Sequence, residues 1–152
     1  MNNRGYFGIG IYNPKTIENV GTLWRAAFSF GASFIFTIGK RYKNQSSDTS
    51  KTYRHIPFIE YPTYEYFKSL KPKNSLLVAI ENSEGAIPIQ RFYHPERAIY
   101  ILGSEDKGLP NEIISECDQV IILPGKICHN VAVSGAMVMF DRLNKGSKSQ
   151  II

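Results

Sequence analysis

Short apolar runs recur along this chain, separated by longer mixed stretches, and that alternation limits the folds open to it. Tyr6–Tyr12 (YFGIGIY), Ser33–Ile38 (SFIFTI), Leu76–Ile80 (LLVAI), Ala98–Leu102 (AIYIL) and Val120–Leu123 (VIIL) each have the length and composition of a strand. Between them lie segments with helical spacing. Thr16 is a suitable N-cap for a helix reaching about Phe30, with Ile17, Val20, Trp24, Ala27 and Phe28 on one face and Gly31 as its stop. Further helices are expected over Thr63–Leu70, from Pro110 to near Cys117, and from Asn130 to about Leu143. Ile56–Tyr61 reads as a short strand interrupted by Pro57, and Pro88 to Pro95 as irregular. Strands alternating with helices argue for an α/β layer fold with a mainly parallel sheet.

The 152 residues suffice for one domain with its own core, expected over 1–145 with a polar tail over 146–152. No apolar run approaches the eighteen residues of a membrane span, and the first one is too short for a secretion signal. Cys117 and Cys128 are too few for a disulfide framework or a zinc site of their own. A reducing, cytoplasmic setting without metal or membrane is therefore expected.

Charge is unevenly placed. Residues 1–54 hold eight Lys/Arg against two acids, a net +6, whereas 55–152 hold ten against eleven, a net −1. Lys40, Arg41, Lys43, Lys51 and Arg54 fall within fifteen positions opposed by Asp48 alone. Such a segment fits a polyanion partner, because lysine and arginine release counterions from phosphates. By charge alone it fits a solvated loop equally well.

Polar residues cluster in three places where strands give way to loops or helices, the positions at which open α/β sheets hold ligands. The first, Asn19 to Arg25, carries Gly21 inside a helix, where glycine costs about 1 kcal/mol relative to alanine. The second, Leu102 to Pro110, follows a strand and contains Gly103 and Gly108. It has neither the glycine spacing of a dinucleotide fold nor the Gly-Lys-Ser/Thr of a phosphate loop. The third, Leu123 to Gly135, offers Asn130 as a helix cap, then the small residues Ala132, Ser134, Gly135 and Ala136 for close packing. His129 fits either a base or a structural residue there, and nothing in the sequence pairs Cys128 as a nucleophile.

In this order and at these separations, the three stretches resemble the signature motifs of the SpoU/TrmH branch of the SPOUT RNA methyltransferases. Asn19, Gly21 and Arg25 match the first motif; Leu102, Gly103, Glu105, Gly108 and Leu109 match the second. Leu123, Pro124, Asn130, Val131 and Val133 match the third, with Cys128-His129 where the family has Ser-Leu and Ala132 where it has Ser. The resemblance implies an α/β fold, a mainly parallel sheet flanked by helices, with a C-terminal deep trefoil knot, a rare exception to unknotted connection. It implies S-adenosylmethionine held against Ile80, Leu102, Gly103, Ile122, Leu123, Cys128, Asn130 and Ala132, and methyl transfer to a ribose 2′-hydroxyl of RNA. It further implies a catalytic set of Arg25, Asn19, Glu105 and Asn130, with Arg25 as a clamp on phosphate and ribose oxygens, Glu105 as orienter of Arg25 or Asn19, and Asn130 fixing the third loop and the acceptor ribose. Lys40, Arg41, Lys43, Lys51 and Arg54 would contact RNA. The family is dimeric, and the chain is similar to its minimal single-domain members (TrmL type), which favours tRNA over rRNA. A non-catalytic RNA-binding member is the alternative.

Overall fold

The computed structural model describes residues 5–41 and 55–146. Along the chain these form β1 (Tyr6–Tyr12), α1 (Ile17–Phe30), β2 (Phe34–Ile38), β3 (Phe58–Tyr61), α2 (Tyr64–Leu70), β4 (Leu76–Ile80), β5 (Ile87–Pro88), a 3₁₀ turn (Ile89–Arg91), β6 (Arg97–Leu102), α3 (Asn111–Glu116), β7 (Gln119–Ile122) and α4 (Val131–Lys145). The expected elements are present, with boundaries shifted by at most a few residues. Thr16 caps α1 by accepting the Asn19 N–H, and Gly31 ends it in the left-handed region at φ 84°. The stretch expected to be irregular instead contributes β5 and the 3₁₀ turn, elements too short to leave a periodic signal in sequence. Pro88 is tolerated there because β5 is an edge strand.

The seven strands form one sheet in the order β3-β2-β1-β6-β4-β7-β5. Every pairing between them is parallel. Side chains alternate across the sheet, so each strand feeds two cores. One face packs Ile9, Ile11, Val78, Tyr100 and Leu102 under α1 and α4. The other packs Phe36, Ile38, Leu77, Ile99 and Ile101 under α2 and α3. Burial on both faces explains why the strands read as continuous apolar runs.

The last strand, β7, lies between β4 and β5, which are consecutive in sequence. Residues 81–86 therefore run from one of its neighbours to the other, and the Glu81 N–H donates to the Ile121 carbonyl at 3.0 Å. This is the strand order that a threaded C-terminal segment needs.

From β7 the chain returns as α4 and packs on α1. A Cβ at Gly135 would stand 2.4 Å from a Leu23 methyl and 3.3 Å from a Leu102 methyl, so a larger residue there would need the Leu23 side chain to move. The far end of α4 is held by a buried polar chain whose direction follows from its donors. Arg142, able only to donate, gives hydrogens to the Tyr100 hydroxyl (3.1 Å), the Pro95 carbonyl (2.6 Å) and the Glu96 carbonyl (3.0 Å). Tyr100 then donates to Nδ1 of His94 (2.7 Å), and His94 donates from Nε2 to Asp141 (2.7 Å). Lys145 completes the chain with an ion pair to Asp141 at 2.9 Å. These bonds tie α4 to residues 89–96, the stretch leading from β5 into β6.

In this arrangement His94 is neutral. Burial lowers its pKa below the ordinary value, outweighing the opposing pull of the Asp141 carboxylate. An imidazole whose folded pKa lies below its unfolded value of about 6.5 binds protons more readily after unfolding. Its penalty is absent above that pH and grows as pH falls towards the folded value. The melting temperature is thus expected to decline between about pH 7 and about pH 5, and His94→Gln to flatten that slope, as read by calorimetry.

Candidate active site

The carboxyl ends of β4, β6 and β7 open into a cleft of about 460 Å³, within the ~300–1,000 Å³ usual for small-molecule sites. Ile80 from β4, Leu102 and Gly103 from β6, and Ile122, Leu123 and Cys128 from β7 and its following loop line it, six of the expected cofactor residues. The other two, Asn130 and Ala132, are not among its lining. Ala132 is buried against the core, and its neighbours Val131 and Ser134 face the cleft instead.

One hydrogen-bond chain joins the three motifs, and donor logic fixes both amide orientations. A carboxylate only accepts, so the Asn19 amide must turn its NH₂ to Glu105 Oε1, at 2.5 Å. That leaves the Asn19 oxygen to accept from the Asn130 NH₂ at 2.9 Å. The Asn130 oxygen in turn accepts the Ala132 and Val133 N–H groups at 2.9 and 3.2 Å, capping α4. The second Glu105 oxygen accepts the Lys15 N–H at 3.3 Å. The sequence expectation that Glu105 orients Arg25 or Asn19 resolves to Asn19.

Arg25 is not brought into this chain. It lies six positions further along α1, exposed, with no hydrogen bond or ion pair to the described residues. A turn of 100° per residue carries it to another side of the helix from Asn19. Among the basic residues, Lys43, Lys51 and Arg54 lie outside the described residues. Lys40 reaches Glu60 at 3.4 Å. Arg41 forms a two-pronged pair with Asp106, at 2.8 and 3.3 Å.

Several residues of the cleft escaped the sequence reading. Glu81 follows β4 directly; its Oε2 accepts the Leu109 N–H at 2.9 Å and its Oε1 the Asn82 N–H at 3.0 Å. A Cβ at Gly108 would stand 2.7 Å from Glu81 Oε2, so this glycine, at φ 64°, is what lets the carboxylate reach the loop. An acid one step beyond a buried strand was the available signal. Asp106 also lines the cleft, and the Arg41 guanidinium holds its carboxyl well below the usual carboxylate range. His129, whose role was open, donates from Nε2 to the Pro124 carbonyl at 2.7 Å and closes the third loop. Among the described residues no group of three metal-ligating side chains gathers, and no helix is long and apolar enough to cross a membrane.

Fold and cleft together define a parallel α/β protein that takes a small-molecule ligand at the carboxyl edge of its sheet. The profile of the SpoU rRNA methylase family matches residues 7–140, and the chain belongs to this family. A tRNA (cytidine(34)-2′-O)-methyltransferase from Ancylobacter novellus is 25% identical over 150 residues, covering 90% of this chain and 91% of that protein. The tRNA (guanosine(18)-2′-O)-methyltransferase TARBP1 of Mus musculus is 24% identical over 134 residues, 81% of this chain but 8% of its own length. Among solved structures, one from a study of 2-OH methylation of C/U34 on tRNA superposes with a TM-score of 0.80 at 18% identity, covering 94% of this chain and 99% of that one. The SpoU methyltransferase AviRb from Streptomyces viridochromogenes, in complex with AdoMet, gives 0.80 at 16% identity, over 95% of this chain and 60% of that one.

The two functions of Asn130 are separable. Asn130→Ala is expected to cost about 1 kcal/mol by urea denaturation through loss of the cap. Asn130→Asp keeps the capping oxygen and should cost less than half as much. Both variants remove the donor to Asn19, so the Asn19 side-chain amide resonances should move in both.

Proposed function

We propose that this protein is an S-adenosylmethionine-dependent methyltransferase acting on a ribose 2′-hydroxyl of tRNA. The carrying observation is the hydrogen-bond chain that joins Asn19, Glu105 and Asn130 beside the cleft. The similarity to a tRNA (cytidine(34)-2′-O)-methyltransferase along nearly the full length of both chains supports tRNA over rRNA.

The cleft fits the cofactor's chemistry. Ile80, Leu102, Ile122 and Leu123 would offer apolar surface for a purine, while Glu81, Glu105 and Asp106 would lend the cleft negative charge suited to a cationic ligand. Ser134 and the strand-end backbone add hydrogen-bonding groups. The chemistry supplied there would be an electrophilic methyl on a sulfonium centre.

This chain's residues then have distinct tasks. A ribose hydroxyl is a poor nucleophile, so its placement in line with the methyl is the main requirement. Asn19 and Asn130 hold the first helix, the second loop and the last helix in one register. Arg25, unpaired among the described residues, is available to clamp phosphate and ribose oxygens; a guanidinium stays protonated and so serves as clamp rather than base. Lys40, Lys43, Lys51 and Arg54 supply contacts to the RNA backbone.

A homodimer is supported by α4, which is apolar on two sides. Val131, Gly135 and Val138 face inward, while Val133, Phe140 and Leu143 recur at helical spacing and stay 47–59% exposed. A knotted C-terminal segment accounts for the insertion of β7 between β4 and β5. We read 1–145 as one catalytic unit. Its free cysteines, with the Cys117 thiol pushed up to about 12 by burial, accord with a reducing cytoplasm.

Calorimetry with S-adenosylmethionine and transfer of labelled methyl to unmodified tRNA test the assignment, with nucleoside digestion locating the label. Binding and a ribose label on tRNA are expected. Arg25→Ala should lower turnover by roughly 10²-fold while leaving cofactor affinity unchanged. RNA binding without cofactor affinity would replace this reading with the non-catalytic one. Phe140→Glu should yield monomers in sedimentation.

A further inference from the structure

Arg41 sits at the carboxyl end of the sheet, just beyond β2, exposed but tied to residues 13–14 and to Asp106. Its N–H donates to the Pro14 carbonyl at 3.1 Å and its Nε to the Asn13 carbonyl at 3.3 Å. Its two terminal nitrogens grip both oxygens of Asp106. Asp106 belongs to the second-motif loop and lines the cleft. Ser104 donates to the same carboxylate at 3.3 Å, and Lys15 stands 3.9 Å from it. A guanidinium anchored on one carbonyl and matched to a carboxylate by two parallel bonds, on a backbone itself tied to Pro14, has a defined geometry that a lone surface ion pair lacks.

We propose that Arg41 is a positioning residue of the cofactor cleft, acting through Asp106 to set the loop 103–109, and not a phosphate contact of the basic segment. The inference rests on the reading of the cleft as the S-adenosylmethionine site. Loop 103–109 thus has supports on two sides. Glu81 holds its Leu109 end from β4, and Arg41 holds Asp106 from the turn after β2. The adjacent Glu105 is the carboxylate that orients Asn19, so displacement of Asp106 would disturb the motif chain one residue away. The consequence is specific: among the basic residues, Arg41 would influence the small ligand rather than the RNA.

The test compares Arg41→Ala, Asp106→Asn, the double variant and Lys40→Ala in the full chain. Binding of S-adenosylmethionine is measured by calorimetry without RNA, and binding of unmodified tRNA by filter retention without cofactor. Arg41→Ala and Asp106→Asn should each weaken cofactor binding about fivefold, in the upper range for a well-formed exposed pair. The double variant should be no worse than either single one, as expected when both changes break one contact. Affinity of Arg41→Ala for tRNA should stay within about twofold of wild type, because one phosphate contact fewer would instead reduce the salt slope by about one. Arg41→Lys should recover only part of the cofactor affinity, since an ammonium cannot grip both oxygens. Unchanged cofactor affinity in Arg41→Ala, additive losses in the double variant, or a loss confined to tRNA would each overturn the proposal. If the wild-type protein itself binds no S-adenosylmethionine, the functional reading fails first, and that result is distinct from a wild type that binds and variants that bind equally well.

Discussion

Helix α4 approaches α1 closely through a glycine. Gly135 faces the Leu23 side chain with no room for a methyl, and that contact sets how deeply the helix beds on the sheet. Its two ends depend on this depth. At the amino end, Asn130 reaches Asn19 on α1; at the carboxyl end, Arg142 reaches Tyr100 beneath the helix. A side chain at position 135 would press on Leu23 within this interface. Packing therefore precedes the hydrogen bonds, and the hydrogen bonds make the packed position unique.

Both polar chains are directional. In each, a group that can only donate or only accept fixes every orientation along the line. Glu105 forces the Asn19 amide, which forces the Asn130 amide, which leaves an oxygen for the cap of α4. Asp141 takes the Nε2 hydrogen of His94, so the neutral ring accepts at Nδ1 from the Tyr100 hydroxyl, whose oxygen accepts from Arg142. A buried polar network specifies a structure when every member is satisfied, as the one around Arg142 and His94 is; the chain through Asn19 lies nearer the surface, at the opposite end of the helix.

Most of the fold was legible because its strands are buried on two faces and its main helices begin on cap residues. Thr16, Gly31, Thr63 and Asn130 marked element ends that the structure keeps. Other features were not legible, for physical reasons. β5 is two residues long and carries no periodicity. The place of β7 between β4 and β5 is a property of three-dimensional order, which spacing does not encode. At the site, the resemblance brought together Asn19, Glu105 and Asn130, but it left Glu81 and Asp106 unmarked. Each acts by holding backbone or another side chain, a role that depends on partners more than twenty positions away. Arg41 looked like one cation among five until its partner was visible. The resemblance implied Asn130 and Ala132 as cofactor contacts; neither is among the residues lining the cleft, where Val131 and Ser134 stand.

The late placement of β7 has a consequence for how the chain is made. Until residues 119–122 arrive, β4 presents an unpaired edge where β7 will lie, and the two residues of β5 have no neighbour. An open edge of that kind is a template for pairing with other chains. During synthesis, that edge of β4 stays open from its own emergence until β7 is seated. The cleft is unfinished throughout that interval, because its third wall is the strand still to come.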